Sequence, residues 1–424
     1  MILNNFIVIG GGIAGMNIAE KLQQKTKEPV LLFEKNNYIG GRVKSIHTKN
    51  SIYESGAGRF NNNHIQLIDL IKRFKMKDKM IKIPKTWELK PEKKHDVEFN
   101  DINKFMEYCI KLAKTKSKKY LNTLSFSEFV TKELGIKYTN YLLDNHPYYS
   151  ELVKMNCNEA LYSFSHDLSE NKQFYILEGG LNQITDNLYS SFKQHKGKAY
   201  LNHTLESIDY ENDIFILSFK TINKIKKYKC KKLILALDSY SLKKFKFLNS
   251  IKELDSVHCA PLLRTYQKFP LDKNKEVWFN GMSKVVTPRK ENKIRYFIPV
   301  DYKNGIVMSS YTDGLYSNYW YKHIKKGNHE AVLMKSLKKL FPDKNIPKPI
   351  WTKNYYWKLG CCYWKPGVDV PKVSSKILKP LNKELYICGD CYSRRQAWQE
   401  GALDTSNLVF NKLTKNLKKK TKKK

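Results

Sequence analysis

The chain has 424 residues, 41% of them hydrophobic, which is enough for two or three domain-sized units and excludes a disordered or fibrous protein. Its net charge is +37, yet only eight of the 77 basic residues are arginine. They do not form one basic stripe with interleaved aromatics, so no specific nucleic-acid partner is expected. Eight cysteines lack a regular framework, and no apolar run approaches the roughly 20 residues of a membrane span. With no leader ahead of the first strand, these features predict a soluble protein of a reducing, cytoplasmic compartment.

In chain order, Asn5 to Ile9 reads as a strand, Gly10 to Gly15 as a glycine turn, the stretch to about Gln24 as a helix and Pro29 to Phe33 as a second strand. This is a βαβ unit. Gly10-Gly-Gly12-Ile-Ala-Gly15 follows the strand and opens the helix, the context that makes a glycine pattern informative. Gly10 permits the turn, Gly12 lets backbone approach a pyrophosphate, Gly15 lets helix pack on strand, and the helix N-terminus stabilises the anion. Glu34 ends the next strand, where its carboxylate can accept ribose hydroxyls, which favours a dinucleotide without a 2′-phosphate. Gly40-Gly41-Arg42 then offers close backbone approach and a guanidinium for phosphate.

From about residue 81 the pattern turns helical, with Ile102 to Lys114 periodic and Ser125 to Glu128 forming a capping box. Strands return at Lys198 to Ile208, Ile214 to Phe219 and Lys232 to Leu237. Val277 to Phe279, Arg295 to Pro299 and Ile306 to Tyr311 predict a further, antiparallel sheet. Leu385 to Cys388 reads as a strand and Gln399 onward as a helix, and the like-charged block Lys418 to Lys424 as a solvated tail. Cys388-Gly-Asp-Cys391 has the spacing of a dithiol, but its Gly-Asp has another use. Scattered histidines and cysteines predict no metal centre.

Gly10 to Gly15, Glu34, Gly40-Gly41-Arg42 and Tyr53-Glu-Ser-Gly56-Ala57 resemble the N-terminal half of the flavin-containing amine oxidases. Leu385-Tyr-Ile-Cys-Gly389-Asp390 and Trp398-Gln-Glu400-Gly401-Ala402 are similar to that family's C-terminal half, and Phe174 to Leu188 to its Gly-Gly segment. The resemblance covers nearly the whole chain. It implies an α/β protein with a discontinuous Rossmann-like FAD-binding domain (1–80, 170–255, 355–414), an α+β substrate domain of helices and antiparallel sheet (81–169, 256–354) and a basic tail (415–424).

The resemblance also implies roles. Glu34 would hold ribose, Arg42 the pyrophosphate, Leu205 the adenine edge, Asp390 the ribityl chain and the Gly401-Ala402 helix start the flavin pyrimidine. Tyr363 and Trp398 stand where the family has its aromatic cage. Arg264 stands where it has a lysine that holds water near the flavin, with Lys268 as the alternative. Cys362 occupies the position from which some members attach FAD through a thioether, a role a packing thiol would lack. The implied reaction oxidises a C–N bond, with molecular oxygen as acceptor, and Arg264, Arg394 and Arg395 suggest an amine bearing a carboxylate. A desaturase of the protoporphyrinogen oxidase type and a non-enzymatic FAD-binding protein with a basic surface stay open.

Overall fold

The apolar run Leu3–Ile9 becomes a central strand because both of its edges find parallel partners, Leu31–Phe33 on one side and Ile225–Leu235 on the other. A computed structural model describes residues 2–89, 95–166, 172–287 and 292–421. The sheet continues with Lys198–Tyr200 beyond Leu31–Phe33, and Leu385–Ile387 pairs in parallel with the end of Ile225–Leu235. An antiparallel meander, Thr204–Glu211 and Ile214–Lys220, completes the seven strands. Strands from the beginning, middle and end of the chain thus build one Rossmann-like layer, as the discontinuous fold class predicts.

The centre of the layer is buried on both faces, which is why residues 6–9, 31–33, 233–235 and 385–387 are continuously apolar. One face packs on helices Ile13–Gln23, Asn182–Gln194 and Gln399–Thr421. The first and last of these are joined by side chains as well: Asn17 Nδ2 donates to Ser406 Oγ at 2.8 Å and to Asn407 Oδ1 at 2.9 Å. The other face packs on the meander, on the segment around Phe245–Val257 and on Trp364.

A second sheet, ordered Trp351–Trp364, Val257–Lys268, Ile306–Asp313, Tyr296–Asp301, Lys284–Val286 and Trp87–Leu89, is antiparallel except at its last pair. Helices between Ile102 and His166 cover one end of it, with Ala260, Cys361 and Tyr363 from the sheet entering their core. Ser125 and Glu128 form the expected capping box, and Ile102–Lys114 is helical over the expected span.

Three expectations need correction. Val277 to Phe279 forms no strand; it is a turn whose Val277 and Phe279 are buried in an aromatic cluster with Phe297 and Phe341, so its apolar character reflects packing. Trp351–Trp364, a 14-residue strand, carries no clean alternation and was not foreseen. The last helix runs to Thr421, so helical backbone replaces the start of the expected tail; residues 422–424 lie outside the described residues. No helix among the described residues is long and apolar enough to cross a membrane.

Candidate functional site

The glycine turn is shaped as a cradle. At Gly15 a side chain is impossible, because a Cβ there would lie 1.8 Å from Gly10 O, where helix and strand meet. At Gly12 the reason differs: a Cβ would meet nothing within 4 Å, so the protein leaves that space open. Glu34 closes the turn from the side, accepting from Gly11 N–H at 2.7 Å and from Asn36 N–H at 2.9 Å. Gly40 N–H donates to Gly11 O at 2.8 Å and brings Gly41 alongside Gly12. The backbone of His203 donates to Glu34 O at 2.9 Å, which sets nearby Leu205 at the same end of the sheet.

Arg42 joins the N- and C-terminal motifs. Its guanidinium pairs with Asp390 and donates to Gly360 O at 2.8 Å. Ala57 N–H donates to Arg42 O at 2.9 Å, and Gly56 is pressed against that same carbonyl. Gly389 N–H donates to Thr405 Oγ1 at 2.8 Å, which fixes the Asp390 turn to the helix whose first turn holds Gly401 and Ala402. The motifs that the sequence scatters over the chain therefore converge at the carboxyl ends of the sheet's parallel strands.

Beside those strand ends lies a group of rings and guanidinium ions. Arg264, 8% exposed in the middle of Val257–Lys268, donates to Glu54 O at 2.9 Å and lies over the Tyr311 ring at 4.9 Å; its Nε has no partner. Lys268 sits at the strand's far end, so Arg264 is the cation that reaches this region. Arg59, which the sequence reading passed over although it follows Ala57 by two residues, donates to Tyr148 Oη at 2.8 Å. It lies 4.4 Å over the Phe174 ring and 6.0 Å over Trp398. Tyr148, Tyr296 and Tyr311 form a mutually packed trio between the two arginines. Burial pushes the Tyr296 and Tyr311 phenols up, so both keep their protons as donors.

Several nominated residues are placed differently. Tyr363 is 2% exposed within the helical core beside Cys361, while half-buried Trp398 meets His64 edge-on at 4.8 Å; among the described residues no ring contact joins the two. The Glu400 carboxylate accepts from Gln66 N–H at 2.9 Å and Leu67 N–H at 3.0 Å, capping helix Ile65–Arg73. Burial pushes its pKa up to about 7, against those two donors. Cys362 faces the Rossmann-side core and is disulfide-bonded to Cys259, its register partner across the sheet. With its sulfur in that disulfide, Cys362 is not a free thiol for a thioether. Arg394 is held by Glu159 through two 3.2 Å bonds, and Arg395 by Asn63 O at 2.8 Å and Glu400 at 3.5 Å.

Sequence comparison agrees with the geometry. The model of the flavin containing amine oxidoreductase family matches residues 13–407. The chain belongs to this family. It is therefore an FAD-dependent oxidoreductase, in which the space at Gly12 is open and Glu34 lies beside it. A protein of Acanthamoeba polyphaga mimivirus is 21% identical over 484 positions, covering 96% of this chain and 93% of that one. A solved structure assigned as a protoporphyrinogen oxidase of Exiguobacterium superposes with a TM-score of 0.72 at 15% identity, covering 97% of this chain and 99% of that one. That likeness supports the fold.

Proposed function

We propose that this flavoenzyme oxidises the C–N bond of an amine that carries a carboxylate, giving an imine, with molecular oxygen as electron acceptor and hydrogen peroxide as product. The observation that carries this reading is the pair Arg59 and Arg264, two guanidinium ions beside the cofactor motifs whose hydrogen bonds go to a phenol and a carbonyl. Glu54, the acidic neighbour of Arg264, directs its carboxylate to Ser45 Oγ and Leu181 N–H instead. Cations without an ionic partner in a desolvated site favour an anionic ligand strongly. A polyamine would meet repulsion.

FAD, when bound, supplies the two-electron acceptor. The chain's own residues would bind and orient. Arg59 and Arg264 hold the carboxylate, the Tyr148, Tyr296 and Tyr311 hydroxyls add neutral donors, and Trp398 with Phe174 offers ring faces to the carbon chain. On the cofactor side, Glu34, Arg42, Leu205, Asp390 and the Gly401-Ala402 helix start keep the roles the family resemblance implies. Tyr363 borders the site through Cys361 and Tyr311.

A second reading is favoured by the structural neighbour: dehydrogenation of a large carboxylate-bearing ring of the protoporphyrinogen type, which the same arginines would also suit. An anaerobic panel of amino acids, spermine and protoporphyrinogen, followed by flavin bleaching, separates the two. Amino acids should bleach the flavin, and Arg59→Leu should raise their KM about 30-fold or more, the cost of about 2 kcal/mol for one lost charge pair. Fastest bleaching by spermine would overturn the carboxylate, and fastest bleaching by protoporphyrinogen would overturn the amine.

A further inference from the structure

Three sulfur atoms from three separate segments meet beneath the second sheet. Cys259 lies on Val257–Lys268, Cys362 on Trp351–Trp364, and Cys391 in the short turn Asp390–Tyr392; their sulfurs all lie within 4.8 Å of one another. Cys259 and Cys362 are bonded, and the free Cys391 Sγ is 2.7 Å from Cys362 Sγ, so Cys362 is the sulfur that both others approach. Ser239 serves the two outer sulfurs. Its hydroxyl lies 3.3 Å from Cys259 Sγ, which as a disulfide sulfur can only accept, and its backbone N–H donates to Cys391.

We propose that this cluster is a thiol–disulfide exchange site, in which the bond Cys259–Cys362 interconverts with Cys362–Cys391. Exchange needs a thiolate directed at a disulfide sulfur and a leaving sulfur that can carry charge. Cys391 loses its proton and attacks Cys362 Sγ; the new S–S bond forms as the bond to Cys259 breaks. Cys259 leaves as a thiolate and takes up the proton, so no electrons enter or leave. Ser239 donates to the sulfur that carries charge at either end of the step. Burial keeps Cys391 protonated, aided by Asp390 and Asp238, while Arg42 and the Ser239 N–H work the other way, so exchange is slow at neutral pH. The two isomers differ in what they fasten. One ties neighbouring strands of the second sheet; the other ties that sheet to the turn carrying Asp390, the partner of Arg42. This inference does not depend on the substrate.

Tryptic mapping after acid quench and alkylation tests it, because the three cysteines fall on separate peptides, 253–264, 359–372 and 384–394. Oxidised full-length protein should yield both 253–264 joined to 359–372 and 359–372 joined to 384–394. Cys391→Ser should leave only the first species and Cys259→Ser only the second, with FAD absorbance retained. Ser239→Ala should slow re-equilibration about tenfold, as loss of one hydrogen bond to a charged group implies. The proposal is overturned if 359–372 is never found joined to 384–394 in the wild-type protein, whatever the variants do. Linkage through Cys361 or Cys388, located by fragmentation, overturns it equally.

Discussion

Gly12 and Gly15 stand three residues apart in the same motif, and the structure assigns them opposite sensitivities. An alanine at Gly12 places its methyl where the protein has nothing within 4 Å, and the backbone there, φ −69° and ψ 176°, suits any residue. Folding should be unaffected, with the apoprotein melting within about 2 °C of the parent. FAD binding should suffer, because the methyl occupies the space the pyrophosphate needs and displaces it from backbone donors. Two charge-assisted hydrogen bonds at about 1.5 kcal/mol each give roughly 3 kcal/mol, or about 100-fold in Kd. Gly15→Ala does the reverse. Its methyl would lie 1.8 Å from Gly10 O, so helix and strand must separate and the apoprotein itself should lose about 2 kcal/mol or more. Fluorescence titration with FAD and melting of the two apoproteins measure both quantities. If Gly12→Ala bound FAD within threefold of the parent, or its apoprotein melted as low as Gly15→Ala, the cradle assignment would be wrong.

Glu400 makes stability depend on pH. Its folded pKa of about 7 exceeds the ordinary 4.5, so the folded chain retains a proton that the unfolded chain loses between those values, and this group's contribution falls as pH rises from about 4.5 to 7. Glu400→Gln should therefore gain about 1–2 kcal/mol on the parent between pH 5 and 8, after allowance for screening, read from urea melts; a flat difference would refute the assignment. Arg394→Met should lower stability by about 1–2 kcal/mol, because Glu159 is 4% exposed on its side chain and loses its partner, while leaving substrate KM unchanged. The opposite outcome, intact stability with raised KM, would move the anion site from Arg59 and Arg264 to Arg394.

What the sequence revealed and what it concealed follow from the range of the interactions. The βαβ unit was legible because glycines, strand and helix signals lie within thirty residues and each local preference agrees with the fold. The capping box at Ser125 and Glu128 was legible for the same reason. The strand Trp351–Trp364 was not, since it is half-buried on both faces over most of its length and shows no period of two. That Cys259, Cys362 and Cys391 meet gave no signal, because only strand register and a turn from the other layer bring them together. Glu400 held a second use that the sequence does not reveal: its carboxylate caps a neighbouring helix.

Arginine shows the same distinction in one residue type, and there partners decide where position could not. Arg73 pairs with Glu20, Arg394 with Glu159, Arg395 with Glu400 and Arg42 with Asp390, while Arg295, fully buried, donates to the carbonyls of Asp144, His146, Pro147 and Thr287. Each of these neutralises an acid or secures backbone, which Arg42 does beside the cofactor role proposed for it. Arg59 and Arg264 are different: their hydrogen bonds go to a phenol and a carbonyl, Glu54 lies near Arg264 but directs its carboxylate to Ser45 and Leu181, and Arg264 keeps one buried N–H without an acceptor. Two like charges near each other raise the energy of the site, and folding alone gives no reason to hold them there. In the proposed complex, an anion between them would remove that cost, so energy carried by the scaffold in the free enzyme would become affinity for a carboxylate. The overall charge of +37 acts in the same direction at longer range, drawing anions toward the protein without selecting among them. In the proposed reaction, selection falls to the two arginines.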